Sequence, residues 1–263
     1  MKNFKSLSLI VSICISVLAI CLNPIFASAK TAASSQAFTI YKDDKVEIGF
    51  KSISENGIVF RVSNLSNTNL TIQADSIAIN GISTNSIVMS ENIAPQNTAD
   101  ATAVISQTDI LNITSVDRVS GQLRVVDFIN RLSYTAVFNV AVNESPGYYE
   151  KDFQKPLLFS DDKVDIYYYS TEKNGVQFLV RNKTELNVTI QADSLAINDT
   201  DINGLIMSEQ IAPHSVGTVR IRCTVDAALQ DAKTISGQLR IIDFTRANFS
   251  SYGASFASVP VAQ

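Results

Sequence analysis

Thr71-Ile72-Gln73-Ala74-Asp75-Ser76-Ile77-Ala78-Ile79 returns 118 residues later as Thr189-Ile190-Gln191-Ala192-Asp193-Ser194-Leu195-Ala196-Ile197. Within each occurrence apolar and polar residues alternate with the period of a β-strand. The alternation changes side partway: Leu70, Ile72 and Ala74 are even-numbered, Ile77 and Ile79 odd-numbered. A strand of unbroken period two cannot do that, so a β-bulge or a bend between sheets is predicted near Asp75-Ser76, and again near Asp193-Ser194.

The same shift aligns much of the chain with itself. Asp43-Asp44-Lys45-Val46 meets Asp161-Asp162-Lys163-Val164, Asn56-Gly57 meets Asn174-Gly175, and Met89-Ser90-Glu91 with Ile93-Ala94-Pro95 recurs within 207–213. Between residues 43 and 95, 28 of 53 gap-free columns are identical. After a two-residue deletion, Ser120-Gly121-Gln122-Leu123-Arg124 returns as Ser236-Gly237-Gln238-Leu239-Arg240, and Asp127-Phe128 as Asp243-Phe244. A solenoid unit runs to about 20–50 residues. This period is longer, so it marks duplication of a whole domain.

The local grammar of each copy is β. Asn56-Gly57, between Val46–Ile53 and Ile58–Val62, predicts a hairpin with a type I′ turn, and Asn174-Gly175 its twin. Val176, Phe178 and Val180 form one apolar face of a return strand. Val219, Ile221 and Cys223 alternate with Arg220 and Arg222 on another. Ala94-Pro95 and Ala212-Pro213 end a run and open a polar turn. Helical patterning is confined to a turn or two in 226–232. Short strands punctuated by turn signals predict an all-β protein of two tandem immunoglobulin-like β-sandwich domains, with a closed barrel as the competing architecture. The predicted boundaries are a signal peptide at 1–29, repeat 1 at 30–143, a linker at 144–156 and repeat 2 at 157–263.

The leader is that of an exported chain. Lys2 and Lys5 precede an apolar stretch from Leu7 to Ile20, and Ala27-Ser28-Ala29 places small residues for cleavage before Lys30. The apolar run is short for a membrane span of about 20 residues and Asn23-Pro24 interrupts it. Leu18-Ala19-Ile20-Cys21 resembles a lipobox, but Ile20 stands where that motif wants a small residue. No second spanning stretch follows, so a secreted protein is expected. Without the leader the balance is 19 Lys+Arg against 25 Asp+Glu. A mildly acidic surface argues against nucleic acid and anionic membranes, both of which need clustered positive charge. Cys14 and Cys21 leave with the leader. Cys223 alone remains, so no intrachain disulfide holds either domain.

Candidate chemistry is sparse. His214, the single histidine, follows Pro213 in a turn with no evident partner, and its counterpart is Gln96. Cys223 stands where the first copy has Ile105, which reads as a small buried hydrophobe rather than a nucleophile. No nucleophile elbow, phosphate-binding glycine loop or His/Cys metal spacing occurs. The acids shared by both copies (Asp43, Asp44, Asp75, Glu91 and Asp127) are scattered rather than gathered in a calcium loop. No enzyme, cofactor or metal is therefore expected. The aromatic surface is more suggestive. Tyr148, Tyr149, Tyr167, Tyr168 and Tyr169 gather at the linker and the next strand, with Tyr168 on the apolar face. Tyr148, Tyr149, Tyr167 and Tyr169 are the candidate binding residues, able to stack on a glycan or anchor a protein. The plainer reading has them covering the interdomain junction. Eight Asn-x-Ser/Thr sequons, among them Asn64 and Asn182, read as chance in an Asn/Ser/Thr-rich chain.

The pieces Thr71–Gly81, Ile93-Ala94-Pro95 and Gly121-Gln122-Leu123-Arg124 resemble a pattern in exported proteins of Gram-positive, clostridial-type bacteria. The resemblance implies an immunoglobulin-like sandwich and no activity or site residues. Asn198-Asp199 stands where the pattern has Asn80-Gly81, so that glycine is not obligatory. Two functions are left open: a binding or adhesion module for an extracellular protein or glycan, and a structural part of the envelope or an extracellular assembly.

Overall fold

The structure, a computed structural model, describes residues 37–84, 87–105, 113, 115–142, 154–172, 174–223, 232–244 and 249–261. The predicted leader, Tyr148, Tyr149 and most of the predicted linker lie outside these residues. The protein is all-β. The first copy contributes β1 (Phe38–Lys42), β2 (Val46–Ser54), β3 (Gly57–Asn64), β4 (Leu70–Ile79), β5 (Ile82–Ser83), β6 (Ile87–Val88), β7 (Ser90–Ile93), β8 (Thr98–Ile105), β9 (Arg118–Asp127) and β10 (Leu132–Ala141). The second contributes β11 (Leu157–Ser160), β12 (Val164–Glu172), β13 (Gly175–Asn182), β14 (Val188–Ile197), β15 (Thr200–Asp201), β16 (Ser208–Ile211), β17 (Ser215–Arg222), β18 (Thr234–Phe244) and β19 (Phe249–Pro260).

Three sheets result among the described residues. One runs β1-β2-β3-β8-β6, and another β15-β14-β18-β19 with β16 beside β14. Between them a long sheet runs β10-β9-β4-β5-β17-β13-β12-β11, with β7 beside β4. It joins strands of both copies through one parallel step, Val216 of β17 on Ile82 of β5. By its contacts the chain from Thr31 to Gln263 is one compact unit.

Each copy keeps its own core between two separately hydrogen-bonded sheets. Ile48, Phe60 and Val62 meet Ile72, Leu123 and Phe138 in the first, while Ile166, Phe178 and Val219 meet Ile190, Leu239 and Phe256 in the second. An aromatic pair bridges each core: Phe60 and Phe138 at 6.4 Å between centroids, Phe178 and Phe256 at 6.2 Å. Such pairs contribute about 1 kcal/mol beyond area burial.

The predicted bulges are present. The ladder of β4 on β9 passes from Ala74–Leu123 to Ser76–Gln122, leaving Asp75 as the extra residue. The ladder of β14 on β18 does the same around Asp193. The glycine of each Ser-Gly-Gln-Leu-Arg run sits opposite its bulge. A Cβ on Gly121 would lie 2.5 Å from the Ser76 carbonyl oxygen and 2.9 Å from the Phe138 ring, and one on Gly237 2.5 Å from the Ser194 carbonyl oxygen.

The first predicted hairpin forms with a different turn. Ser54 pairs with Gly57, so the loop is Glu55-Asn56, and neither residue has positive φ. Gly57 belongs to the strand, where it combines a φ of +131° with close approach. A Cβ there would lie 2.1 Å from the Ala103 carbonyl oxygen of β8, and one on Gly175 would lie 2.2 Å from that of Ile221. Among the described residues, turns with positive φ at both central residues are Asn80-Gly81 (50° and 78°) and Asn198-Asp199 (49° and 61°), between β4 and β5 and between β14 and β15.

Candidate functional site

Several of the groups that could carry chemistry hold turns. Asp43 Oδ1 accepts the N–H groups of Lys45 and Val46, each at 2.8 Å, and Asp161 does the same for Lys163 and Val164. The Tyr134 hydroxyl faces Asp43 from β10, and Tyr252 faces Asp161 from β19. Burial, then the facing carboxylate, pushes both phenols far above their usual range. For the two aspartates burial acts upward, but the N–H and hydroxyl donors together hold them below the usual carboxylate value. This repeated Tyr–Asp pairing was invisible in the sequence, because its members stand at opposite ends of each copy.

Asp127 closes the β9–β10 turn. It accepts the N–H of Asn130 at 3.0 Å and of Ile129 at 3.1 Å, the Thr68 hydroxyl at 2.7 Å and the Asn130 amide at 2.7 Å. These donors, the Asn130 N–H foremost, lower its pKa to about 2. Asp75, the bulge residue, moves the other way. Burial raises it, opposed by the Arg124 guanidinium at 3.0 Å. Arg240 stands 2.7 Å from Asp193 at the second bulge. Among the described residues no group of three His, Cys, Asp or Glu side chains could hold a metal ion.

His214 departs from the expectation of an exposed turn residue without a partner. Its side chain is 21% exposed, its Nε2 lies 2.7 Å from Glu185 Oε1, and its φ is +47°. The turn containing Thr184 and Glu185 packs beside it, with the His214 N–H donating to the Thr184 carbonyl. Cys223 is half-buried, and burial raises its thiol. It packs against the second core, as its spacing predicts.

Two of the sequon asparagines are structural. Asn64 is 1% exposed; its amide donates to the carbonyls of Thr68 and Ile93, and its Oδ1 accepts from the Ser66 N–H and hydroxyl. Asn182 repeats the arrangement with Leu186, Ile211 and Thr184.

Of the candidate tyrosines, the described ones lie on β12. Tyr167 is half-buried opposite Leu179, and Tyr169 falls at a register shift between Tyr168 and Ser170. The Lys155 ammonium lies 5.0 Å from the Tyr169 ring centroid and donates to the Tyr169 carbonyl. Asp165 of the same strand is 7% exposed and meets the Lys183 ammonium at 2.6 Å.

Among the described residues the copies meet through small polar groups. Ser76 Oγ donates to Asn187 Oδ1 at 2.7 Å and Ser120 Oγ to the Pro213 carbonyl at 2.9 Å. The Ala212 N–H donates to Ser83 Oγ at 3.0 Å, and the Val216 N–H to the Gly81 carbonyl at 2.8 Å. The turn of the second copy is thus seated on the outer face of β4, β5 and β9. Sequence reasoning missed it because serines on a strand read as solvent-facing.

Some large apolar side chains stay exposed. Val88 and Val104 pair across β6 and β8 at 72% and 52% exposure, and Phe128 and Ile129 at the β9–β10 turn are 70% and 68% exposed. No helix among the described residues is long and apolar enough to cross a membrane.

No protein-family model matches the chain, and no curated protein matches it. Among solved structures it is similar to the YadV chaperone (11% identity, TM-score 0.25, 81% of this chain and all of that one). It is also similar to the CupB2 chaperone of Pseudomonas aeruginosa (14%, 0.23, 77% of this chain and 94% of that one) and the Escherichia coli chaperone DraB (12%, 0.23, 78% and 91%).

Proposed function

We propose that the protein is an exported, non-enzymatic binding module of two tandem immunoglobulin-like β-sandwiches that engages an extracellular protein. The observation that carries this reading is a contrast. Asp43, Asp75, Asp127, Asp161, Asp193, His214 and Cys223 are tied into turns, ion pairs or core, whereas Val88, Val104, Phe128 and Ile129 remain exposed. Paired exposed apolar residues on a strand edge and a turn suit protein contact better than catalysis. The resemblance to exported proteins of Gram-positive bacteria and the leader-like start of the chain agree with an extracellular setting. A glycan is the second reading, favoured by Tyr169, although Lys155 already covers that ring.

The test is to collect the exported protein and present it to panels of envelope and extracellular proteins, glycans and hydrolase substrates. Saturable protein binding, weakened about tenfold by Val88→Ser with Val104→Ser, is the expected result. Substrate turnover, or binding to glycans alone, would overturn the proposal.

A further inference from the structure

The contact between the copies is heterologous: a turn of the second copy is seated on the strand face of the first. A heterologous contact leaves each half unused at the opposite end of the pair. Burial records this asymmetry. Ala212 and Pro213 are buried, while their counterparts Ala94 and Pro95 are exposed. Ser76 is fully buried and Ser120 is 1% exposed, while Ser194 is exposed and Ser236 half-buried.

The unused halves retain the groups that make the contact. The Ser76–Asn187 bond has its counterparts in Ser194 and Asn69, with both residue types unchanged. The Ser120–Pro213 bond has Ser236 and Pro95, again unchanged. Ser236 Oγ accepts from the Ser258 N–H, so its own hydrogen is left to donate. The Val216 N–H and Gly81 carbonyl correspond to backbone groups of Thr98 and Asp199, and Asn198-Asp199 holds the same turn as Asn80-Gly81. The Ala212 N–H to Ser83 bond corresponds to the Ala94 N–H and the carboxylate of Asp201, also an acceptor.

We infer that the protein associates head to tail with a second copy of itself, the first-repeat turn Ala94–Thr98 and Asn69 of one molecule seating on Ser194, Asp201 and Ser236 of the next. This goes beyond the reading of the protein as a binding module, since the joint uses none of Val88, Val104, Phe128 or Ile129. The joint extends β15-β14-β18-β19 of one molecule into β8-β3-β2-β1 of its neighbour, as β5 and β17 already do within the chain. The differences between the two sites set its strength. Val216 on Ile82 becomes Thr98 on Thr200, and the neutral, buried Ser83 becomes Asp201. Less apolar area and a carboxylate to be desolvated make the intermolecular joint weaker than the internal one and reversible.

Sedimentation velocity of the exported protein from micromolar to millimolar concentration reads the association directly. Growth of the sedimenting species with concentration is expected. Asp201→Ser tightens the association by about tenfold and Ser194→Arg, on an exposed position, weakens it by at least as much. In a Cys223→Ala background, Asn69→Cys and Ser194→Cys proteins oxidised together give mixed dimers in preference to either homodimer. A strictly monomeric protein, mixed dimers no more frequent than homodimers, or Asp201→Ser that does not tighten association would each overturn the inference. A monomer that still binds an extracellular protein sinks only the self-association. A chain that binds neither itself nor any protein sinks the proposed function as well.

Discussion

The Ser76 hydroxyl donates to Asn187 Oδ1 across 2.7 Å in a fully buried setting, joining side chains 111 positions apart. The corresponding serine of the second copy, Ser194, is exposed. One residue type in one bulge therefore has two energetic roles.

Ser76→Ala leaves a buried acceptor without its donor and is expected to destabilise the protein by about 1–2 kcal/mol. Ser194→Ala, at a solvent-facing position, should stay within about 0.5 kcal/mol of the parent. Chemical denaturation of the two variants side by side measures both. Equal costs would contradict the packing described.

Gly57 and Asn56 separate the two explanations of the first hairpin. Gly57→Ala drives a Cβ into the Ala103 carbonyl, and a loss above about 2 kcal/mol is expected. Asn56→Ala, at a loop residue without positive φ, should cost less than about 0.5 kcal/mol. A type I′ turn at Asn56-Gly57 would reverse the expectation for Asn56, and thermal melts decide it. Asn80→Ala should be the costlier asparagine change, since Asn80 has φ near 50°, is buried, and bonds Ser115, Asp117 and Arg118.

Stability is expected to fall with acidification through the turn carboxylates. Asp127 has its folded pKa lowered from 3.8 to about 2. A depressed folded value contributes stability above the unfolded pKa, and that contribution is lost as pH falls through the folded one. The Asp127 contribution is therefore full above pH 3.8 and gone below about pH 2. Asp127→Asn should flatten the stability–pH curve across that window. An unchanged slope in urea titrations at stepped pH would disprove the assignment.

Arg124 opposes the burial that raises the Asp75 pKa. Removing the guanidinium by Arg124→Gln should raise that pKa further, read from the carboxyl carbon resonance of Asp75 during an NMR pH titration. A fall in the pKa would show that the pair is not coupled as described.

The bulge, the strands and the duplication were legible because each leaves a local mark: a change of side in a period-two pattern, alternation, and identity at a fixed shift. The hairpin at residues 46–64 was legible as well, yet its turn was misplaced by one residue, since Gly57 keeps a positive φ but pairs with Ser54 as the first residue of the return strand, where close packing also demands a glycine. Gly57 is held by the Ala103 carbonyl of β8, a strand far along the chain. His214 shows the same limit, for Glu185 belongs to a different turn.

The sequence by itself determined that the protein is built from strands, that it repeats itself, and where the strand in each copy must bulge. Those properties follow from the backbone period and from neighbours in the chain. Only the tertiary structure decided that Ser76, Ser83 and Ser120 are buried while Ser194, Asp201 and Ser236 are wholly or partly open. A serine on the outer face of a strand has the same local sequence whether water or another repeat covers it. The covering surface depends on the rigid placement of one copy against the other, which no local pattern encodes.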